Sequence, residues 1–444
     1  MLKRINGEDD MTGAEVAMRD AAFPLPFVSG LEYNAPARGP WNIVHTGMLI
    51  PESHQVFACA QGCLRGVILT AAEMLEMGRM SWISVDKNDF FDGSLERNIV
   101  DGTAEIIRKL PKKPHALLLF ISCVHLFAGC DFEAILDELR AMFPDIDFID
   151  CYMNPTMRKS GLTPDQLMRR QLYAPFRPCP ADPKAVNLIG NDRPTDGSSE
   201  LVQLIEKAGR ELRDITLCRT YEDYMRMAKS ALEITYLPTA KASGDALGKR
   251  LGRKHLYLPL SYDFDEIEHN LNLLADALGV EAPDWSEAKR NAVCALERAK
   301  KIIGETPVEI DYTATPRPVG LAVLLAEHGF HVARVYTDAM IEEERPAFER
   351  LRGLAPDLLL TATVHAKMRF AGKGVHEHGD VLAIGQKAAY FSGTRHFVNI
   401  VSGGGMYGFD GIARLAERMI EAAAHEQDTE LVIQHKGLGC RSCL

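Results

Sequence analysis

The stretch His54-Gln-Val-Phe-Ala-Cys59-Ala-Gln-Gly-Cys63 decides the fold, because an apolar run stops there at cysteine. Two other segments share this design, Ala116-Leu-Leu-Leu-Phe-Ile-Ser-Cys123 and Asp147-Phe-Ile-Asp-Cys151. Short apolar runs followed by helix-patterned sequence are typical of buried strands in a parallel sheet. The carboxyl ends of parallel strands lie at one edge of the sheet, where open α/β sheets bind ligands. The sequence therefore predicts a group of thiols at that edge.

Two further features suggest that these thiols hold a metal cluster. Cys130 follows Cys123 closely, and Cys63 opens a helix-patterned run, 64–77. The amino-terminal dipole of such a helix stabilises thiolates and anionic clusters. The alternative is that these cysteines are small buried hydrophobic residues, since free cysteine is among the most buried residue types. The residues by themselves leave both interpretations open.

Composition limits the class of protein. The chain has 444 residues, of which 46% are hydrophobic, so it is long enough for two to four domains. Its formal charge of -11 argues against a nucleic-acid partner, which requires clustered lysine and arginine. We find no secretory signal and no apolar run near the roughly 20 residues that cross a bilayer. We therefore expect a protein of the reducing cytoplasm, with no membrane partner.

The chain repeats one theme, a short apolar strand followed by an amphipathic helix. In Phe132 to Met142, for example, apolar residues recur at helical spacing. Alternating strands and helices indicate parallel βαβ units, so we predict an α/β fold. A proline-rich stretch, 175–183, marks one boundary. We expect an N-terminal arm, three α/β domains and a C-terminal tail, with the bounds 1–25, 26–180, 181–300, 301–426 and 427–444.

The pattern places four strands in each domain. The predicted strands are 56–60, 81–85, 117–121, 146–149, 185–190, 214–218, 233–237, 255–260, 308–312, 332–336, 357–363 and 396–401.

A glycine-rich segment near the end, Gly403-Gly-Gly405-Met-Tyr-Gly408, has the glycine spacing of a dinucleotide fingerprint. That fingerprint belongs in the first βα turn and is followed about 20 residues later by an acidic residue. Here the next strand candidate, 430–433, runs into Gln434-His435-Lys436 and no acid is in place. We therefore expect a loop beside a buried ligand or a subunit contact.

Two smaller clusters stay open as accessory sites. His376 and His378 flank Glu377 in a loop, but their spacing matches no zinc motif, so we expect solvated histidines. The terminal pair Cys440 and Cys443 has the spacing of a redox pair, of half a metal site, or of two idle thiols on a tail.

Several motifs together resemble the nitrogenase component 1 superfamily. Cys63 precedes an amphipathic helix, and Cys123 is followed by Gly129 and by a helix that starts at Asp131. The segment 403–411, which ends in Gly-Phe-Asp-Gly, resembles the Gly-Phe-Asp-Gly segment of that family. The segments Val186-Asn-Leu-Ile-Gly190 and Ala383-Ile-Gly-Gln-Lys-Ala388 resemble openings of its second and third domains. The similarity covers roughly residues 26 to 425.

The resemblance implies three Rossmann-like, doubly wound parallel-sheet domains and an iron-sulfur cluster near a subunit interface. It also implies electrons from a separate ATP-hydrolysing iron protein, and a second component 1-like subunit or a second copy of this chain. Where the nitrogenase α subunit has its first cluster cysteine, this chain has Gly30-Leu31-Glu32-Tyr33. Cys59 and Cys130 are instead additional thiols beside Cys63 and Cys123, so we predict that these four bind a 4Fe-4S cluster. Cys151, Cys440 and Cys443 are accessory candidates.

An iron-molybdenum cofactor is not expected. In this family its ligands are a cysteine, which would fall near Tyr236 to Pro238, and a histidine, which would fall near Val398, with His396 close by. Neither ligand is present in this chain. We therefore expect a nitrogenase-like oxidoreductase subunit that reduces an unidentified substrate with low-potential electrons. His125, His376 and His378 are candidate proton donors, because histidine titrates near neutral pH.

Two other functions stay open. One is a non-catalytic scaffold on which a metallocofactor is assembled, which the sequence does not distinguish from a reductase. The other is a cluster-free protein that binds a small anion at helix amino termini such as Ser198-Ser199.

Overall fold

The structure of the chain is a computed structural model, and it describes residues 11–91, 93–154, 161–369, 371 and 381–434. The described residues divide into two compact units. The first unit comprises 41–194 and 209–258, and the second comprises 11–40, 195–208 and 259–434. Three sheets account for the strands of these ranges. The N-terminal segment contributes β1 (Glu15–Ala17), which belongs to the second unit.

The first sheet is parallel and has the strand order β3-β2-β4-β5. Its strands are β2 (Ser53–Ala60), β3 (Met80–Val85), β4 (Ala116–Ser122) and β5 (Asp147–Met153). The helices of this region are α1 (Ile43–Gly47), α2 (Gln61–Glu73), α3 (Lys87–Phe91), α4 (Leu95–Lys109), α5 (Cys123–Phe127), α6 (Phe132–Met142) and α7 (Pro164–Gln171).

Successive residues of β2 pack into different cores, because side chains alternate across a strand. Phe57 and Cys59 belong to the core that contains residues of α2 and α7. Val56 and Ala58 belong to the core that contains residues of α4 and α6. The two faces of the sheet are therefore both covered, which explains why its strands are almost entirely apolar.

The second sheet is also parallel, with the order β7-β6-β8-β9. In chain order this region contains β6 (Asp182–Leu188), α8 (Glu200–Lys207), β7 (Glu211–Asp214), α9 (Tyr221–Arg226), β8 (Ser230–Thr235), α10 (Lys241–Leu251) and β9 (Lys254–Tyr257). Two long helices follow, α11 (Phe264–Leu278) and α12 (Ser286–Ile303).

The third sheet has the order β1-β12-β11-β10-β13-β14, and only its β1 is antiparallel to the neighbouring strand. In chain order the elements are β10 (Val308–Asp311), α13 (Pro318–Glu327), β11 (Val332–Tyr336), α14 (Arg345–Leu354), β12 (Leu359–Thr361), β13 (Leu382–Ile384), α15 (Gln386–Ser392), β14 (Phe397–Val398) and α16 (Gly408–Ala424).

The predicted α/β fold with parallel sheets is confirmed, and α6 has the predicted bounds. The predicted strand 214–218 is wrong, because β7 ends at Asp214. The carboxylate of Asp214 accepts the backbone N–H of Thr216 at 2.8 Å, and Ile215–Leu217 forms a single 3-10 turn. A side chain that bonds its own backbone in this way ends a strand. The predicted strand 430–433 is likewise a 3-10 turn, Thr429–Val432.

The domain bounds near residues 25, 180, 300 and 426 stay predictions. The finding of two compact units describes which residues pack together, with the first two sheets in one unit and the third sheet in the other. Within the described residues, no helix combines the length and the apolar character needed to cross a membrane.

Candidate functional site

Two neighbouring strands of the first sheet deliver three cysteines to one edge. Ala58 of β2 pairs with Ile121 of β4, so both strands end at the same level. Cys59 is the last but one residue of β2, Cys63 lies in the first turn of α2, and Cys123 is the first residue of α5. The chain continues from β2 to β3 on one side and then places β4 on the other side. This reversal is a topological switch point, where open α/β sheets form a ligand crevice.

The three thiols interact electrostatically. Cys59 is fully buried, Cys63 is exposed, and Cys123 is between these extremes. The pKa of Cys59 is raised to about 12, first by burial and then by the nearby Cys63 and Cys123. Because a neighbouring thiolate raises a pKa only over a short distance, the three sulfurs lie near one another at this edge. Cys59 forms its buried base and Cys63 its solvent-facing rim.

The start of α2 leaves hydrogen-bond donors free for a ligand. Its N-cap residue is Ala60, whose side chain makes no capping hydrogen bond. The first backbone N–H groups of a helix have no partner inside the helix, and together with the helix dipole they favour an anion. A Cβ added at Gly62 would meet nothing within 4 Å, so the space beside Cys63 is open.

His125 holds the first turn of α5, which carries Cys123. The backbone N–H of Ser122 donates to Nδ1 of His125 at 3.1 Å, and this bond is part of a capping box. His125 is fully buried, and burial lowers its pKa. Its Nε2 is buried and has no hydrogen-bond partner among the described residues. A neutral, fixed imidazole therefore lies two residues from Cys123.

Cys130 packs against a different core from Cys59. Cys130 packs against the core that contains Val56 and Ala58, whereas Cys59 faces the opposite core. Burial raises the pKa of Cys130 to about 11, and the Glu96 carboxylate, to which the thiol donates, raises it further. Sequence spacing does not reveal this separation, because Cys130 follows a left-handed turn at Gly129.

The accessory candidates have different outcomes. Cys151 lies in β5, where it pairs with Phe120, and it is fully buried in the apolar core. Burial raises its pKa well above the ordinary value. Cys440, Cys443, His376 and His378 lie outside the described residues, so their roles stay predictions.

The described residues do not form a site for a single metal ion. Among the residues that the structure describes, no three His, Cys, Asp or Glu side chains converge closely enough to hold one metal ion. In a cubane iron-sulfur cluster each thiolate binds a different iron, so the thiolate sulfurs stand farther apart than the ligands of one ion. Three interacting but separate thiols at a crevice fit that arrangement.

The glycine-rich segment is explained by packing. Gly408, the first residue of α16, has φ +81°, and a Cβ there would lie 2.2 Å from Oε2 of Glu200. The Glu200 carboxylate accepts the backbone N–H of Asp410 at 2.9 Å.

Ser198 donates to Asp410, and Ser199 accepts from the backbone N–H of Leu201. At the amino terminus of α8, where the small-anion alternative places its ligand, the backbone N–H of Leu201 is therefore already bound by Ser199.

The sequence did not lead us to predict one pair of ionisable residues, Asp311 and Lys387, at the switch point of the third sheet. Strand order in the third sheet reverses between β10 and β13. Asp311 ends β10 in full burial, and the buried amine of Lys387 lies near it. Burial raises the pKa of Asp311 and lowers that of Lys387. The feature of the sequence that could have revealed this pair is an acidic residue at the end of an apolar strand.

Comparison with known proteins agrees with this architecture. A family model described as nitrogenase component 1 type oxidoreductase matches residues 46–424. One solved structure, described as nitrogenase Cp1 at pH 6.5, superimposes with a TM-score of 0.66 at 15% identity, covering 90% of this chain and 95% of its own. Another, described as nitrogenase Cp1 at pH 5, gives 0.56 at 12% identity, with 93% and 94% covered. Likeness at such identity shows a shared fold. A search of curated proteins finds no match.

Proposed function

Because the chain belongs to the nitrogenase component 1 type oxidoreductases, we propose that it is a subunit that binds an iron-sulfur cluster and receives low-potential electrons for the reduction of a substrate. The observation that carries the proposal is the group of Cys59, Cys63 and Cys123 at the switch point of the first sheet. We propose these three cysteines as ligands without Cys130, because Cys130 packs against the core opposite to that of Cys59.

Each of the three cysteines has a distinct part in holding the cluster. Cys59 anchors it at the buried base, where apolar neighbours exclude water. Cys63 and Cys123 begin helices, so nearby backbone N–H groups donate to sulfur and offset negative charge. A bound iron-sulfur cluster supplies one-electron transfer at a potential that hydrogen bonds and burial adjust. The thiols release their protons when iron binds, since thiolate is the ligand.

We infer that a second component 1-type chain covers this site and completes the ligand set. Within the described residues, this chain offers three thiols at the crevice and a cubane cluster has four irons to bind. Large apolar side chains surround that edge of the sheet: Phe91 is 87% exposed on α3, and Phe127 is 79% exposed on α5. Phe90 and Leu126 add to the same surface. Exposed apolar patches of this kind mark protein interfaces.

The electron donor is proposed to be an ATP-hydrolysing iron protein, as the family membership suggests. Turnover of a substrate with such a protein and ATP separates a reductase from a scaffold that only carries a metallocofactor. The same assay with the iron protein omitted is the control. Incorporation of iron without any turnover would favour the scaffold.

The ligand assignment is tested by anaerobic purification, iron and sulfide analysis, and electron paramagnetic resonance of the reduced protein. We expect iron and sulfide in the wild type, and loss or alteration of the signal in Cys63→Ala and Cys123→Ala. Cys294→Ala is the matched control, because Cys294 is an exposed cysteine on α12. Cys130→Ala should also leave the signal unchanged.

Three results would contradict the proposal. One is a colourless, iron-free wild-type protein that still unfolds cooperatively. Another is an unchanged spectrum in both Cys63→Ala and Cys123→Ala. A third is loss of the signal in Cys130→Ala alone, which would return Cys130 to the ligand set.

A further inference from the structure

A cavity of about 440 Å³ lies in the first unit, at the edge of the first sheet opposite the thiols. Ser53, which begins β2, and Pro114, which precedes β4, both line it. Because β2 spans 8 residues, the cavity and the thiols are separated by roughly 20 Å along the strand. The cavity is therefore distinct from the site proposed for the cluster.

The cavity concentrates positive charge in an acidic protein. Arg79, Lys112, Lys113 and Arg219 line it, whereas Glu52 is the carboxylate among the described lining residues. The whole chain has a formal charge of -11. The lining thus has an excess of positive charge, which favours an anionic occupant, and Glu76 and Asp145 outside the lining pair with Arg79 and Lys113.

The cations differ in how far they are already engaged. Arg79 donates to the Ile50 carbonyl at 2.7 Å and to Oγ of Ser53 at 3.1 Å, so it is held rigidly. Lys112 pairs with Glu52 at 2.7 Å, and Glu52 also accepts the backbone N–H of Tyr221. Among the described residues, Lys113 pairs with the largely exposed Asp145, at 3.1 Å. Arg219 is exposed, and the described hydrogen bond at this residue is made by its backbone.

The remaining walls of the cavity are apolar. Met48, Leu110 and Pro111 line it beside the cations. A volume of several hundred Å³ with both apolar walls and a few charged groups is typical of sites for small organic ligands. Inorganic ions need no apolar wall.

We propose that this cavity binds a small organic phosphate, with the phosphoryl group at Lys113 and Arg219 and the organic part against the apolar wall. A phosphoryl group carries close to two negative charges at neutral pH. It therefore matches the two positive charges of Lys113 and Arg219 better than a single carboxylate does. Arginine and lysine are the side chains that bind phosphate in proteins. The site is independent of the proposed redox function.

Isothermal titration calorimetry of the full-length protein with AMP, at low ionic strength, tests the proposal. Low salt is needed because exposed charges are screened. We expect binding of one AMP per chain, weakened about tenfold or more in Arg219→Glu and in Lys113→Glu, since each loses a charged contact and adds repulsion. Lys207→Glu is the matched control, because Lys207 is an exposed lysine of α8 in the other unit. Circular dichroism checks that all variants are folded.

Inorganic pyrophosphate is the second probe, and it separates an organic ligand from an ion. AMP binding that both cavity variants weaken and Lys207→Glu preserves supports the proposal. Absence of AMP binding overturns it, as does equal affinity in the wild type, Arg219→Glu and Lys113→Glu. Binding of pyrophosphate without binding of AMP also overturns it, because the apolar wall would then have no role.

Discussion

At the scale of single residues, Cys59 shows how burial controls the chemistry of a thiol. Cys59 and Cys63 are four positions apart, yet one is fully buried and the other is exposed. Burial disfavours the thiolate, so the pKa of Cys59 is raised to about 12 in the metal-free chain. Iron must therefore displace a proton from Cys59 at any physiological pH.

This difference predicts the order of alkylation in metal-free protein. Only thiolate reacts with iodoacetamide, so Cys63 should be labelled first, while Cys59 should stay unlabelled from pH 7 to beyond the ordinary cysteine pKa of about 8.5. Mass spectrometry of peptides from native protein measures the labelling at each pH. The exposed Cys294 serves as the reference thiol. Labelling of Cys59 as fast as Cys294 would show that Cys59 is not buried as described.

At the scale of elements, the loop before α16 depends on glycine for its backbone conformation and for space. Gly408 has φ +81°, a backbone conformation that residues other than glycine rarely adopt. A Cβ there would also overlap the Glu200 carboxylate that caps α16. The Gly-Phe-Asp-Gly segment therefore has a structural reason that holds whatever ligand the protein binds.

Gly408→Ala should lower the free energy of unfolding by about 1–3 kcal/mol, because it forces a strained backbone and displaces Glu200. Gly353→Ala is the matched control. Gly353 is the last but one residue of α14, and a Cβ there would meet nothing within 4 Å. That substitution should raise stability by about 0.5–1 kcal/mol, since alanine favours helix. Urea unfolding followed by circular dichroism measures both changes, and equal effects of the two substitutions would refute the explanation.

At the scale of the whole molecule, buried carboxyl groups make stability depend on pH. Burial raises the pKa of Glu200, Asp214, Glu233 and Glu344 to about 7. Each group holds its proton more tightly in the folded chain than in the unfolded chain. The stabilisation is therefore complete below the unfolded pKa near 4 and is lost as pH rises to about 7. His54, whose pKa burial lowers to about 4, acts in the opposite direction.

Glu233→Gln isolates one of these groups. Glu233 is fully buried and accepts a hydrogen bond from Asn187 at 2.8 Å, which glutamine can also accept. The stability of the variant relative to the wild type should rise between pH 5 and pH 8, by up to about 3 kcal/mol. Urea unfolding at each pH measures this difference. Glu133→Gln, at an exposed position of α6, is the control, and parallel pH profiles for the two variants would contradict the expectation.

Local sequence was sufficient to predict the alternation of strands and helices, because apolar periodicity is a property of neighbouring residues. It identified β2, β4 and β5 and the cysteines that lie in them or directly after them, Cys59, Cys123 and Cys151. Apolar periodicity did not predict the turn after β7, because Asp214 ends the strand through a side-chain hydrogen bond and not through a change in hydrophobicity.

The sequence by itself determined that this chain forms parallel α/β sheets with cysteines at strand ends, since both follow from short-range pattern. Only the tertiary structure decided which thiols lie at the same edge. Cys59 and Cys123 do so because β2 and β4 are adjacent at a reversal of strand order. Cys130, only seven residues after Cys123, packs on the other face of the sheet. Strand order and the face of a sheet are set by packing between distant segments, and sequence spacing does not encode them.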